Sequence, residues 1–380
     1  MPSDDEVLLV PPDEEEALFI ARGVTTAVTP PAGLTELQQF LLPALFRAMT
    51  GHRLDVTSVE AIGPEEFARG LARRNEAFRT RIVQLQLLCS LVLAPLPREV
   101  ADRVDAYARE LNVEDDMVRV AQRFARGQLG LAAMDFQRNG YIADWHEERA
   151  ARMGAGAALE DAWGRITTDP QLAARWRALG DLPDGTLGRR VWEFYRARGF
   201  SFPGEPDAAP ERLASHDWVH VLGDYGTTVE NELEVFALIA RANDDLRAFS
   251  LLAMVISLFE TGQLSSEARL FHYDRGHLST AGMAERLAQA MVRGVHCKDP
   301  VTDGDSVDLL AVDWFALADL PLDEARSRFQ LPPKTPEALE AGSVGPWEPG
   351  GISPFQLEAG RSAAEAEGRA YESYGASPAR

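Results

Sequence analysis

Cysteine is almost absent from this chain, with two in 380 residues, Cys89 and Cys297. That excludes a disulfide framework, and the mixed or apolar surroundings of each predict buried, reduced thiols in a cytoplasmic protein. Positive charge is short as well: 38 Lys and Arg stand against 59 Asp and Glu, for a formal charge of −21. Such a chain is repelled by nucleic acid and by anionic membrane surfaces, which excludes nucleic acid as a partner and leaves at most peripheral membrane contact. Long hydrophobic runs are also missing. Residues 82–93 are interrupted by Gln84 and Gln86, and 248–259 is only about twelve residues, against the ~20 that a spanning helix needs. Both read as buried helices. The start, Met1-Pro2-Ser3-Asp4-Asp5-Glu6, is acidic where a signal peptide is basic, so none is expected.

What is present is a globular composition, 46% apolar and 26% charged, in a chain long enough for two domains with cores of their own. No strand alternation and no internal repeat stand out, and the expected fold is all-α. Residues 1–33, rich in acid and broken by Pro11, Pro12, Pro30 and Pro31, read as a mobile leader with at most one short ordered piece. From Thr35, which forms a capping box with Gln38, the apolar residues Leu37, Phe40, Leu41, Ala44, Leu45 and Ala48 fall on one helical stripe kinked at Pro43. A long helix is predicted from Pro64 to Ala94, then amphipathic helices over Val100 to Leu111 and from Asp115 past Phe124. Short connections make 34–150 a helical bundle. Charge followed by Gly and Ala around 135–156 marks a boundary, 151–333 forms a second helical domain, and the Gly- and Pro-rich tail 334–380 lacks a core-forming pattern and should be poorly ordered or laid on the surface.

Histidine is scarce too, seven in all, and two of them make the most informative pattern of the chain. His216-Asp217-x-x-His220 is followed after eleven residues by Glu232. Imidazoles four apart on a helix share a face. Gly223 and Gly226 should end that helix, and Thr227 with Glu230 should cap a second. On the second helix Glu232 shares its face with Val235, Phe236 and Ile239, while Glu230, Glu234 and Arg241 fall on a more polar stripe. A carboxylate on an apolar face demands a cation, a proton or a hydrogen-bond network. The set His216, Asp217, His220 and Glu232 therefore forms a candidate shell for a divalent metal, Zn²⁺ first, with Fe²⁺ and Mn²⁺ also compatible. Asp217 reads either as a ligand or as a base orienting His220.

This region resembles the ubiquinone-biosynthesis family called Coq-four, whose hallmark is the same His-Asp-x-x-His-x(11)-Glu arrangement. Three further stretches agree in order: Leu182-Pro183-Asp184-Gly185-Thr186-Leu187-Gly188 with Trp192-Glu193-Phe194-Tyr195, then Arg293-Gly294 closing a helix from Ala281, then Val312-Asp313-Trp314-Phe315 with Leu320-Pro321-Leu322 and Arg326. The resemblance covers about 159–333. It implies an all-helical Coq-four-like domain with metal ligands at His216, Asp217, His220 and Glu232. It also implies metal-dependent decarboxylation and hydroxylation of the ring of a polyprenylated aromatic precursor, or an organising role among biosynthetic enzymes. Asn231 stands where the family usually has Gly. The N-terminal region more faintly resembles TerB domains in helix order and in the corner Leu85 to Pro97, without their acidic metal loop, and reads as a docking or regulatory module.

Three functions follow as expectations. The first is a metal-dependent enzyme on an isoprenoid or apolar aromatic small molecule, with Phe249, Leu252, Met254, Val255, Ile256 and Phe259 lining its cavity or serving as plain core. The second is a non-catalytic lipid-binding scaffold with a structural metal, which leaves room for a homodimer. An HD-type phosphohydrolase is the third, for which His52 and His146 are the upstream histidines.

Overall fold

The computed structural model describes residues 11–113, 168–206, 208, 211–243, 249, 252, 256, 276–302 and 306–379. Among the described residues there are thirteen α-helices, three short 3-10 turns and no strand, only two isolated bridges. The fold is all-α. Among the described residues no helix is long and apolar enough to cross a membrane. The chain divides into two compact units: Met1–Asp144 with Asp245–Ser266 and His272–Val292, and Trp145–Asp244 with Glu267–Phe271 and Arg293–Arg380. Phe249, Leu252, Ile256 and residues 276–292, expected with the second domain, fall in the first unit, where Arg47 grips Glu285 through both carboxylate oxygens at 2.5 and 2.6 Å.

The first unit is built on a helix that the sequence hid. In place of a mobile leader, Glu14–Val28 forms α1, capped by the Asp13 side chain, which accepts from the Glu16 N–H at 2.9 Å. The acidic run is the first turn of a helix, where its charge suits the dipole. Ile20, Ala21, Val24, Ala27 and Val28 are buried, and α1 packs against α3 (Pro64–Gly70), α4 (Glu76–Leu91) and α5 (Arg98–Glu110). The approach of α1 to α3 is close: a Cβ at Gly23 would lie 2.2 Å from the Phe67 ring. The predicted single helix over 64–94 is these two, α3 and α4, because the Asn75 side chain caps a fresh start by accepting from the Phe78 N–H at 2.9 Å.

α2 (Glu36–Thr50) has the expected capping box, but its buried face is Gln38, Leu41, Leu42, Leu45 and Phe46, and Phe40 points outward. Gln38 is buried because its Nε2 donates to the carbonyls of Val28 and Cys89, at 2.9 and 3.0 Å. Val100, Val104, Tyr107 and Leu111 line the inner face of α5 and the residue that follows it, as their spacing requires. Phe249, Leu252 and Ile256 are buried core of this unit, with Arg81 over the Phe249 ring. Met254, Val255, Phe259, His146 and the helix expected from Asp115 lie outside the described residues.

In the second unit α6 (Pro170–Arg177), α7 (Leu187–Arg198), α8 (Glu211–Gly223) and α9 (Val229–Ala242) precede the end of α10 (Met283–Val295), then α11 (Leu322–Arg328), α12 (Pro336–Glu340) and α13 (Pro354–Ala366). The tail is not a loose appendage. α13 packs on α7 where glycines remove side chains from both: a Cβ at Gly360 would lie 2.2 Å from the Ala197 carbonyl oxygen, and one at Gly199 would lie 2.6 Å from Ala359. A 3.6-residue stripe is too short to show in so small-residued a segment, and its order comes from backbone contacts. Cys89 and Cys297 are both buried thiols, and burial pushes Cys297 up to about 12.

Candidate metal centre

α8 carries three of the four predicted residues and α9 the fourth. Gly223 ends α8, Asp224 turns the chain in a left-handed conformation at φ 61°, and α9 begins after Thr228. The cap is one residue later than predicted: Thr228, not Thr227, is the N-cap, and Asn231 rather than Glu230 completes the box, its Oδ1 accepting from the Thr228 N–H at 3.4 Å. Thr227 is drawn elsewhere, donating from its hydroxyl to Gln356 Oε1 at 2.6 Å. Asn231 is fully buried and also donates to Glu234 at 3.0 Å, so Glu234 lies inside and not on an exposed polar stripe.

This turn folds α9 back so that Glu232 reaches the histidines. The ligating atoms of His216, Asp217 and His220 lie within 4.8 Å of one another. Glu232 Oε2 is 3.2 Å from His220 Nε2 and 3.7 Å from His216 Nε2, and Asp217 Oδ1 is 3.5 Å from His216 Nε2. None of the four is more than 7% exposed. The structure brings together every predicted site residue.

Second neighbours orient the cluster. His220 Nδ1 lies 2.7 Å from the Gly226 carbonyl, which can only accept, so Nδ1 carries a proton. In a neutral ring Nε2 is then a bare lone pair facing Glu232. It is therefore Gly226, and not Asp217, that orients His220. Asp217 is held instead by Tyr195, whose hydroxyl donates to Oδ2 at 2.5 Å and leaves Oδ1 toward His216. Phe236 stacks on His216 and Phe194 lies against His220, each with ring centroids 5.5 Å apart.

Without a cation at the cluster, the protons redistribute in a consistent way. Burial alone would push Glu232 up, but the charge and hydrogen bond of His220 hold it below its ordinary value. Burial would likewise pull His220 down, and the Glu232 carboxylate outweighs it, raising His220. Asp217 is raised, because burial exceeds the pull of both histidines and of Tyr195.

Arg198 is the residue that the sequence reading passed over. It is fully buried, its charge acts on both Asp217 and Glu232, and burial pulls it down to about 9. Its Nε donates to Thr227 Oγ1 at 2.8 Å, and Nη2 donates to the carbonyls of Pro346 and Gly351 at 3.0 and 2.8 Å. A signal existed: Val191, Phe194 and Arg198 form one stripe of α7, so this is a charge on an apolar face, as Glu232 is.

The other stretches singled out in the sequence converge on α8. Leu187 and Gly188 donate backbone N–H to Leu320 and Ala318, both at 2.8 Å, and Leu322 N donates to Gly185 O at 3.0 Å, zipping the Leu182–Gly188 segment to the Leu320–Leu322 segment. Trp314 stacks on Trp218 of α8 at 5.9 Å. Arg293 Nη1 donates to Gly223 O at 2.8 Å and Arg326 Nε to Leu222 O at 2.9 Å, capping the carbonyl end of α8 with cations. Gly294 is small because a Cβ there would lie 2.4 Å from the Leu238 carbonyl of α9. His52 lies in the first unit, where its Nε2 is 2.7 Å from the Pro12 carbonyl.

Fold and site together define an all-α protein with a buried His-Asp-His-Glu cluster at a helix corner. No protein family model matches the chain, and no curated protein matches it. Among solved structures, a protein of Nostoc punctiforme PCC 73102 named "putative ubiquinone biosynthesis protein" aligns over 67% of this chain and 97% of its own, at 19% identity and a TM-score of 0.27. That overlay is too loose to bear on the site.

Proposed function

We propose that the chain binds one divalent metal ion, zinc by preference, through His216, Asp217, His220 and Glu232, and that it serves ubiquinone or related isoprenoid-quinone biosynthesis as a Coq-four-like protein. One observation carries the metal reading. In a buried place, two acceptors face each other at 3.2 Å: the His220 Nε2 lone pair, bare in the tautomer that Gly226 selects, and a Glu232 oxygen. A proton or a cation must sit between them, and two further donors, His216 and Asp217, turn toward the same point. Two nitrogens and two oxygens suit Zn²⁺, then Fe²⁺ or Mn²⁺.

The residues around the cluster fit such an ion. Gly226 fixes the His220 tautomer and Tyr195 fixes the Asp217 rotamer, as outer partners of metal ligands do. Arg198 offsets part of the charge of the two carboxylates, and Phe194 and Phe236 keep water from the imidazoles. A bound metal would supply Lewis-acid polarisation of a carboxylate or phenolate.

The biosynthetic half of the reading is supported by the four ordered stretches that resemble the Coq-four family. The substrate is then a polyprenylated aromatic acid and the reaction is loss of the ring carboxyl with hydroxylation of that carbon. Protein loaded in turn with Zn²⁺, Fe²⁺ and Mn²⁺ is incubated with such an acid under air, and the products are weighed by mass spectrometry. Conversion that disappears in His216→Ala supports the enzyme. Tight metal binding with no conversion under any loading transfers the proposal to a second reading, a lipid-binding scaffold with a structural metal. The exposure of no more than 7% at all four donors favours that reading, since four protein ligands close a tetrahedral shell.

A further inference from the structure

Tyr195, besides holding Asp217, lines a cavity of about 580 Å³ together with Trp192, Arg196, Phe202, Glu367 and Arg369, a size typical of small-molecule sites. Part of its wall is aromatic: Tyr195 and Phe202 stack at 5.3 Å. Another part is cationic. Arg177 is paired with Glu205, but Arg196 and Arg369 converge on the single carboxylate of Glu367. Arg196 Nη1 donates to Glu367 Oε1 at 3.0 Å and Arg369 Nε to Oε2 at 2.7 Å. Glu367 does not saturate the pair, because Arg196 Nε and Arg369 Nη2 find no acceptor among the described residues.

The charge count selects the ligand. Among the described lining residues three guanidiniums face two carboxylates, a local excess of one positive charge in a chain of net charge −21. The side chains of Arg196 and Arg369 are 17% and 26% exposed, so that charge is screened less than at an open surface. A monoanion neutralises it, whereas a phosphate dianion overshoots. The paired guanidiniums already grip a carboxylate, which is the geometry an incoming one would use.

We propose that this cavity binds a small organic monocarboxylate, its carboxylate taken by Arg196 and Arg369 beside or in place of Glu367, and its apolar body laid against Trp192, Tyr195 and Phe202. Glu367 is then an internal competitor for the ligand's position. The site does not depend on a metal at His216 and His220. Glu367 and Arg369 lie beyond the stretch that resembles the Coq-four family, so the C-terminal segment completes a cavity whose remaining wall comes largely from α7 and the residues after it.

The test is calorimetric titration of the full chain with benzoate, with its neutral counterpart benzamide and with inorganic phosphate. Benzoate is expected to saturate, while benzamide and phosphate do not. Glu367→Gln removes the competitor and tightens benzoate by about tenfold, a gain that misfolding cannot imitate, while Arg369→Gln weakens it by a similar factor. Benzamide or phosphate binding as well as benzoate would overturn the proposal. So would an affinity that is unchanged or reduced in Glu367→Gln, or no saturation with benzoate in either protein.

Discussion

Glu232 and His220 are each intelligible only through the other. A carboxylate 2% exposed on a helix face shared with Val235 and Phe236 is stable because an imidazole meets it, and the imidazole is turned to it by a single backbone carbonyl. The same pair makes a prediction about pH. In metal-free protein the His220 value is raised above the ordinary 6.5 by Glu232, so the native state holds that proton more firmly than the unfolded chain does. The resulting stabilisation is complete below 6.5 and fades as pH rises through the raised native value. Zinc has the opposite dependence, because it requires a bare Nε2 and competes with that proton. The rise in Tm on adding one equivalent of Zn²⁺ should therefore grow as pH rises above 6.5 and His220 gives up its proton. Thermal melts with and without zinc across that range check it, and an increment that shrinks with pH would count against zinc at His220.

At the scale of elements, the corner between α8 and α9 does the positioning, and Gly226 is its tightest point. A Cβ there would lie 2.6 Å from the Gly351 Cα and 2.7 Å from Asn231 Oδ1. Gly226→Ala should displace the carbonyl that holds His220, lowering stability by about 1–3 kcal/mol and zinc affinity by roughly 10–100-fold. All four ligands stay in place. Gly185→Ala is the control: its φ of 83° resists a side chain, but among the described residues nothing lies within 4 Å of its Cβ position, so it should cost stability without touching zinc affinity. Zinc titration against a chromophoric chelator separates the two variants, and equal zinc affinities would refute the role given to the Gly226 carbonyl.

The corner was legible in the sequence because its signals are local: a four-residue histidine spacing, two glycines and a charged residue on an apolar stripe, although the cap fell one residue later, at Thr228 with Asn231. Arg198 could have been found by that last rule. What holds Arg198 could not, since Pro346 and Gly351 contribute only backbone carbonyls, which leave no side-chain signature. α1 was masked for another reason. Its acids, Glu14 to Glu16, resemble a disordered run, and only the Asp13 cap and the buried face that follows reveal a first turn.

For the molecule as a whole, the C-terminal segment is the largest departure from the sequence reading. Residues 334–380 accept two hydrogen bonds from Arg198, supply Gln356 to Thr227, and pair Val344 and Gly351 carbonyls with the N–H groups of Gly226 and Thr227. They brace the loop that orients His220. A chain ending at residue 333 would leave the guanidinium of Arg198 without those carbonyls, and buried groups so stranded cost about 1–3 kcal/mol each. The shortened protein should therefore melt at lower temperature and lose zinc although it keeps all four ligands. Zinc content and Tm equal to those of the full chain would show the tail to be dispensable to the site.

If the four buried side chains at this helix corner hold a metal, elemental analysis of the purified protein beside Glu232→Ala will show it. About one zinc or iron per chain is expected in the wild type, with its loss in the variant and the helical circular dichroism retained. Wild-type protein that carries no metal, takes up none on addition of Zn²⁺, Fe²⁺ or Mn²⁺, and melts as the variant does would contradict it.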